Sequence, residues 1–368
     1  MFTAIKKCFS PESINTGRQP ELDMAKGFAI LFMIWTHVFE ELSPHSEGIL
    51  VTLARNILGG PFAAPIFMIC LGIGICYSRK TTPKDLLHRG FSLLGIGFLL
   101  NVVRYVLPDL IKYALTQNNT YLQDTIIFFS VDILQFAGLA FLFFALAKKL
   151  RLNNITLFLL SIAASLLGAS LRSISTGNVV TDLIAGFFWG TYENAWFPFL
   201  NWIIFPIAGL ILGSLIKHCK DKNRFYLFVS PACGVLMIVY LIFTLKYGMM
   251  FSSNGSYFLL GPLDALFFII LTLGLFGLNY AILQVFSKCS FHLLIRMSKN
   301  VNNIYCIHWA LIGIIGIFPP FLQKSTALPF WLATLIAVLL VALSDRIAVL
   351  YLENIKPTLM SRNKKHMN

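Results

Sequence analysis

The chain is predicted to be all-α, a polytopic membrane protein of about ten transmembrane helices with both termini in the cytoplasm. Three observations carry this expectation. Hydrophobic residues make up 57% of the 368 positions and charged residues only 12%. The mean hydropathy is +0.75, far above that of soluble domains. Apolar runs near the length of a bilayer crossing recur at 24–39, 57–77, 91–107, 126–146, 155–171, 197–216, 225–245, 259–286, 301–318 and 329–350.

The charges supply an independent orientation. Lys6, Lys7 and Arg18 precede the first run. Alternate connections then hold Arg79, Lys80, Lys84 and Arg89; Lys148, Lys149 and Arg151; Lys217, Lys220, Lys222 and Arg224; and Lys288, Arg296 and Lys299. Lys356, Arg362, Lys364 and Lys365 follow the last run, and the intervening connections hold one cation each: Arg55, Lys112, Arg172, Lys246 and Lys324. This is the positive-inside pattern, so the net charge of +13 reports topology and not affinity for nucleic acid. The expected organisation is a cytoplasmic segment over 1–20, one transmembrane domain over 21–355 and a basic cytoplasmic tail over 356–368. The basic, polar first twenty residues do not read as a cleavable signal peptide, so the first span serves as the insertion signal.

All seven cysteines (Cys8, Cys70, Cys76, Cys219, Cys233, Cys289 and Cys306) fall in spans or on the cytoplasmic side. No disulfide framework and no metal site is expected from their spacing. The connections assigned to the outside are longer and carry acids and aromatics, among them Asp109, Tyr113, Tyr121, Asp124, Asp182, Trp189, Tyr192, Glu193 and Trp196. Val179–Trp189 is apolar yet too short to cross, which predicts an interfacial or re-entrant piece. Aromatic belts at the interface are the competing reading for any one of these rings.

The first run holds Lys26 and His37, eleven residues apart. On a helix that is three turns plus roughly 20°, so the two side chains share a face roughly 16 Å apart. Ionisable groups in a span are costly and face an interior or a wet cavity. His37 is the candidate general base or transient acyl carrier, with Glu40 and Glu41 within a turn to orient it. An interhelical hydrogen bond competes for His37, and snorkelling to headgroups for Lys26.

The third span climbs outward and brings Asn101 and Arg104 to the depth of His37; the fourth descends with Ser130, Asp132 and Gln135 at that level. A buried Asp132 needs a cation, either Arg104 in a structural pair or a protonated His37. Asp264 enters the eighth span, and His308 lies one turn past Tyr305 in the ninth. Asp345 and Arg346 read as structural or snorkelling. Such groups suit either passage of a polar solute or group transfer from an anionic cytoplasmic donor. Phosphates of coenzyme A could rest on Lys26, Arg79, Lys80 and Arg89 while a thioester reaches His37.

Arg18 followed by LDMAKGFAILFMIWTH resembles the opening segment of integral membrane acyltransferases, the heparan-alpha-glucosaminide N-acetyltransferase-like and acyltransferase family 3 proteins. APIFMICLGIGICYSRK, HRGFSLLGIGFLLNVVRY, VDILQFAGLAFL, FPFLNWIIFPIAGLILG and NVNNIYCIHWALI are similar to their later helices. The resemblance implies transfer of an acetyl or other acyl group from cytoplasmic acetyl-CoA to an extracytoplasmic saccharide hydroxyl or amine. It implies His37 as the catalytic histidine, and Lys26 stands where the family often has Arg. Asp132, Glu40 and Glu41 would support the imidazole; Asn101, Arg104, Gln135, Asp264 and His308 would contact substrate. Membrane lipids, acyl-CoA and a saccharide are the expected partners, with a homodimer left open, in a bacterial inner membrane. The alternative is a transporter or exporter of a polar or glycan solute using the same cavity.

Overall fold

The computed structural model describes residues 8–122, 125–172, 174–191, 194–247, 257–287, 291–318 and 328–355. Lys6, Lys7, Asp124, Tyr192, Glu193, Lys288, Cys289, Lys324 and the cations from Lys356 onward lie outside them. Among the described residues the chain is helical with no strand; two isolated β-bridges, Phe9 to Cys219 and Val131 to Ala195, tie distant segments together.

Each predicted apolar run holds a helix, but the helices are not ten equal spans. Among the described residues seven are long and apolar enough to cross a membrane: α1 (Pro20–Glu41), α4 (Pro83–Thr116), α6 (Asn154–Leu171), α8 (Phe199–His218), α9 (Lys222–Tyr247), α10 (Pro262–Val285) and α13 (Phe330–Leu350). The other three runs form shorter helices: α3 (Ala64–Tyr77, 14 residues), α5 (Ile133–Lys149, 17 residues) and α12 (Val301–Ile315, 15 residues). α2 (Ile49–Leu58), α7 (Val179–Trp189) and α11 (His292–Lys299) are shorter pieces between them.

The shortening has local causes. The run over 57–77 is broken by Gly59, Gly60 and Pro61, so α3 starts only at Ala64. The run over 126–146 cannot be helical from its start, because Asp132 takes extended angles and caps α5 with Gln135 in a reciprocal capping box. Irregular backbone at membrane depth is tolerated only where protein or a cavity surrounds it. The short helices therefore already mark where an interior cavity must be.

α1 is the central post. Of its apolar window 67% is buried, against 22% for α6 and α9. It packs against α3, α10, α11, α12 and α13 and contributes to both hydrophobic clusters of the interior. α3 and α8 approach closely through glycine. A Cβ on Gly72 would drive into the carbonyl of Pro206, and one on Gly209 into the carbonyl of Ile69. Backbone cannot swing aside as a side chain can, so Gly72→Ala or Gly209→Ala should destabilise the fold by about 1–3 kcal/mol. Thermal unfolding in detergent checks this, with Gly74→Ala as the silent control because its Cβ would meet open space.

Candidate active site

A cavity of about 330 Å³ lies between α1, α2, α3 and α12. α1 presents Thr36, His37, Glu40 and Glu41 to it, one helical stripe at i, i+1, i+4 and i+5. Arg55 enters from α2, which is wound as a π-helix over Leu53–Leu58, and Tyr105 from a second π-helical stretch, Val102–Val106, inside α4. π-turns of this kind recur at functional sites because they rotate side chains out of the regular register. The hydroxyls of Tyr240 and Tyr257 donate to the carbonyls of Asn56 and Gly60, at 3.3 and 2.9 Å, and so hold the irregular segment that carries Arg55.

Asp132 and Trp196 reach the cavity through the second β-bridge. Val131 N–H donates to Asn194 O at 2.9 Å and Phe197 N–H to Val131 O at 3.0 Å, which sets two unwound segments side by side. Asp132 is the hub of a buried network. Its Oδ2 accepts from Arg104 Nη1 at 2.5 Å and from the Tyr305 hydroxyl at 2.6 Å, and its Oδ1 accepts from Ile133 N–H at 2.6 Å. Arg104 Nη2 also donates to Asn101 Oδ1 at 3.2 Å, and Asn101 Nδ2 donates to the carbonyls of Phe128 and Ser130. The Arg104 guanidinium lies 4.4 Å from the ring centres of both Tyr105 and Trp309. A charge pair this deep needs every oxygen and nitrogen engaged, and the network comes close to doing so.

His37 is held by a second histidine. Its Nδ1 lies 2.9 Å from Nε2 of His308, and Nδ1 of His308 lies 3.0 Å from the carbonyl of Ile304. A carbonyl only accepts, so Nδ1 of His308 carries a hydrogen. In the uncharged pair Nε2 of His308 is then a bare acceptor, and Nδ1 of His37 must donate to it. The remaining nitrogen, Nε2 of His37, is left with its lone pair, on a residue that forms a wall of the cavity. Trp309 closes the other face of the His37 ring, 4.2 Å between centroids. The ring is thus fixed in orientation and tautomer.

Two further cavities flank this one. One of about 540 Å³ shares Glu41, Tyr105, Trp196 and Trp309 as a common wall and extends past Asp109, Lys112 and Tyr121. The other, of about 380 Å³, lies at the far end of α1 and is lined by Arg18, Asp23 and Lys26 together with Cys70, Ile73 and Tyr77 of α3. There Asp23 pairs with Arg18 at 2.9 Å and Lys26 at 3.0 Å and accepts from Ser298 at 2.8 Å. α1 and α3 line both this cavity and the central one with facing stripes.

The expected site residues are therefore distributed as follows. His37, Glu40, Glu41 and Asp132 share the central cavity. Nδ1 of His37 meets His308 and not Asp132, whose oxygens are committed to Arg104, Tyr305 and Ile133. His308 stands behind His37 and is not a wall of the cavity; Asn101 and Gln135 stand behind Asp132 in the same way. Asp264 is buried in the first turn of α10, where a carboxylate meets the positive end of the helix dipole, away from the cavity walls. Of the expected phosphate cations, Lys26 lines one of these three cavities. Arg79 and Lys80 are exposed, and Arg89 lies over the Phe141 ring at 4.6 Å. Arg55, Tyr105 and Thr36 were not foreseen as site residues; the signal for Arg55 was a lone cation just ahead of the Gly-Gly-Pro break.

A family model of an acyltransferase domain, acyltransferase family 3, matches residues 19–347. The chain belongs to acyltransferase family 3. It is a membrane acyltransferase, and the match runs from just before α1 to within α13. Among curated proteins none matches the chain.

Proposed function

We propose that this acyltransferase moves an acetyl or similar acyl group from acyl-CoA, bound at the Lys26 end of α1, to a saccharide hydroxyl or amine entering from the opposite side. The single observation that carries the reading is the fixed tautomer of His37, which leaves Nε2 free within the cavity. The alternation of basic connections supports placing the Lys26 end in the cytoplasm, of a bacterial inner membrane in this reading, with both termini on that side. The rise of α1 between Lys26 and His37, roughly 16 Å, is comparable to an extended pantetheine arm. Arg18 and Lys26 would meet the anionic end of the donor, and the facing stripes of α1 and α3 would guide the arm. The larger cavity, with faces of Tyr121, Trp196 and Trp309, suits the stacking of sugar rings.

In the chemical step the acceptor oxygen or nitrogen gives its proton to Nε2 of His37 and attacks the thioester carbon. The tetrahedral species collapses, the carbon–sulfur bond breaks, and the departing thiolate takes the proton from His37. An acylated acceptor and free CoA result, with no net proton change at the protein. Glu40 and Glu41 lie where they can hold acceptor hydroxyls or an ammonium.

The test is purified protein with radiolabelled acetyl-CoA, wild type against His37→Ala. Wild type should release CoA, and the variant should lose turnover by about 10²–10⁴-fold, the range for a positioned base. Turnover unaffected by His37→Ala would remove the histidine from the mechanism. Saccharide flux surviving the substitution without acyl transfer would instead favour an exporter.

A further inference from the structure

Acyl transfer places a negative charge on the thioester oxygen, and the roles assigned so far leave that charge without a partner. The cations near His37 divide into two kinds. Arg104 is committed to Asp132 and boxed between rings, and Lys26 is paired with Asp23 at the far end of the helix. Arg55 lines the cavity but forms no ion pair and no side-chain hydrogen bond among the described residues. It shares the cavity wall with Glu40 of α1, and those two charges act on each other. Gly59, just past the end of α2, packs so closely on Thr36 that a Cβ there would strike its hydroxyl, which holds the end of α2 against α1 beside the cavity.

A second donor belongs to the same wall. Tyr105 is a wall of both the central and the larger cavity, and its buried hydroxyl has no hydrogen-bond partner among the described residues. A buried hydroxyl without a partner costs about 1–3 kcal/mol, which a fold does not retain at such a position without return. Its ring is held between Arg104 and Trp196, the latter with ring centroids 6.1 Å away. Preorganised donors of this kind, one neutral and one cationic, are what stabilises an oxyanion in a water-poor site.

We propose that Tyr105 and Arg55 are catalytic donors that together hold the oxyanion of the tetrahedral intermediate. This rests on the acyl-transfer reading of the cavity. As the acceptor attacks, the carbonyl π-electrons move onto oxygen, which accepts from the Tyr105 hydroxyl and the Arg55 guanidinium. On collapse the electrons return to the carbonyl and the thiolate leaves; neither donor gains or loses a proton.

Water can serve as acceptor, so CoA release from acetyl-CoA alone tests the proposal without a known saccharide. Tyr105→Phe keeps the ring and removes only the hydroxyl; Arg55→Gln removes the charge and Arg55→Lys keeps it. Tyr105→Phe and Arg55→Gln should each lower kcat about 10²–10³-fold, the cost of one such donor, with Arg55→Lys intermediate. The KM for acetyl-CoA and the calorimetric Kd for CoA should stay within about twofold, since the interaction exists only in the transition state. Unchanged kcat in both variants, or a raised KM at constant kcat, overturns the proposal while His37-dependent turnover stands. Absence of turnover in wild type overturns the acyl-CoA reading and this proposal with it.

Discussion

His308→Leu should lower kcat for CoA release by about 10²–10⁴-fold while leaving the KM for acetyl-CoA nearly unchanged, the effect seen when a catalytic imidazole loses its orienting partner. The reason lies in the chain of two hydrogen bonds. The Ile304 carbonyl fixes the hydrogen on His308 Nδ1, and His308 Nε2 fixes the hydrogen on His37 Nδ1. Leucine fills the space but accepts nothing. His37 can then place its hydrogen on Nε2, where it cannot take a proton from the acceptor. His308→Gln should recover part of the rate, because an amide oxygen can accept from His37 Nδ1–H in place of the imidazole nitrogen. Nitrogen-15 spectra of labelled histidine read the tautomer directly. Wild type should show His37 protonated at Nδ1, and His308→Leu a mixture. A leucine variant of normal rate would make the contact a packing feature only. Because His308 is 0% exposed, thermal unfolding of both variants separates a lost fold from a lost tautomer.

The sequence made the materials of this site legible but not their division of labour. Helix periodicity put Lys26 and His37 on one face of α1, and the structure finds them on the walls of two cavities along that helix. Opposed directions of the third and fourth spans brought Arg104 and Asp132 to one depth, and they form a buried pair. Hydropathy located the apolar runs but overestimated continuous crossings, since it measures what enters lipid and not where a helix can start. The start of α5 was written in Asp132 and Gln135, a capping box inside an apolar run, and the start of α3 in Gly59, Gly60 and Pro61. Positive-inside arithmetic treats the Arg55 cation as a topology signal in a connection. In the structure it lies in a π-helical stretch and lines the central cavity. That His308 and not a carboxylate holds His37 required the register of α12 against α1, a tertiary fact no single-helix pattern contains.

Asp132→Ala should be the most destabilising single substitution in the site, by about 3–5 kcal/mol, the cost of leaving one member of a buried ion pair uncompensated. Arg104 is 3% exposed and would keep its charge without its Asp132 partner. The Tyr305 hydroxyl would lose its acceptor, and α5 its N-cap, which adds about 1 kcal/mol. Asp132→Asn should be milder at the cap, because an asparagine oxygen can still accept from Ile133, yet it leaves the guanidinium unneutralised. The decisive variant is the double one, Asp132→Leu with Arg104→Met. Removing both charges relieves the desolvation penalty, and such replacements are neutral or stabilising elsewhere. Thermal unfolding should therefore show the double variant restored relative to Asp132→Ala. Turnover separates two roles for the pair. Recovered stability with recovered CoA release would make Arg104 and Asp132 a strut. Recovered stability without CoA release would mean the guanidinium is needed to aim Tyr105, which it holds at 4.4 Å. The geometry favours the second outcome, because the same guanidinium stacks on Tyr105 and on Trp309, the ring that closes over His37.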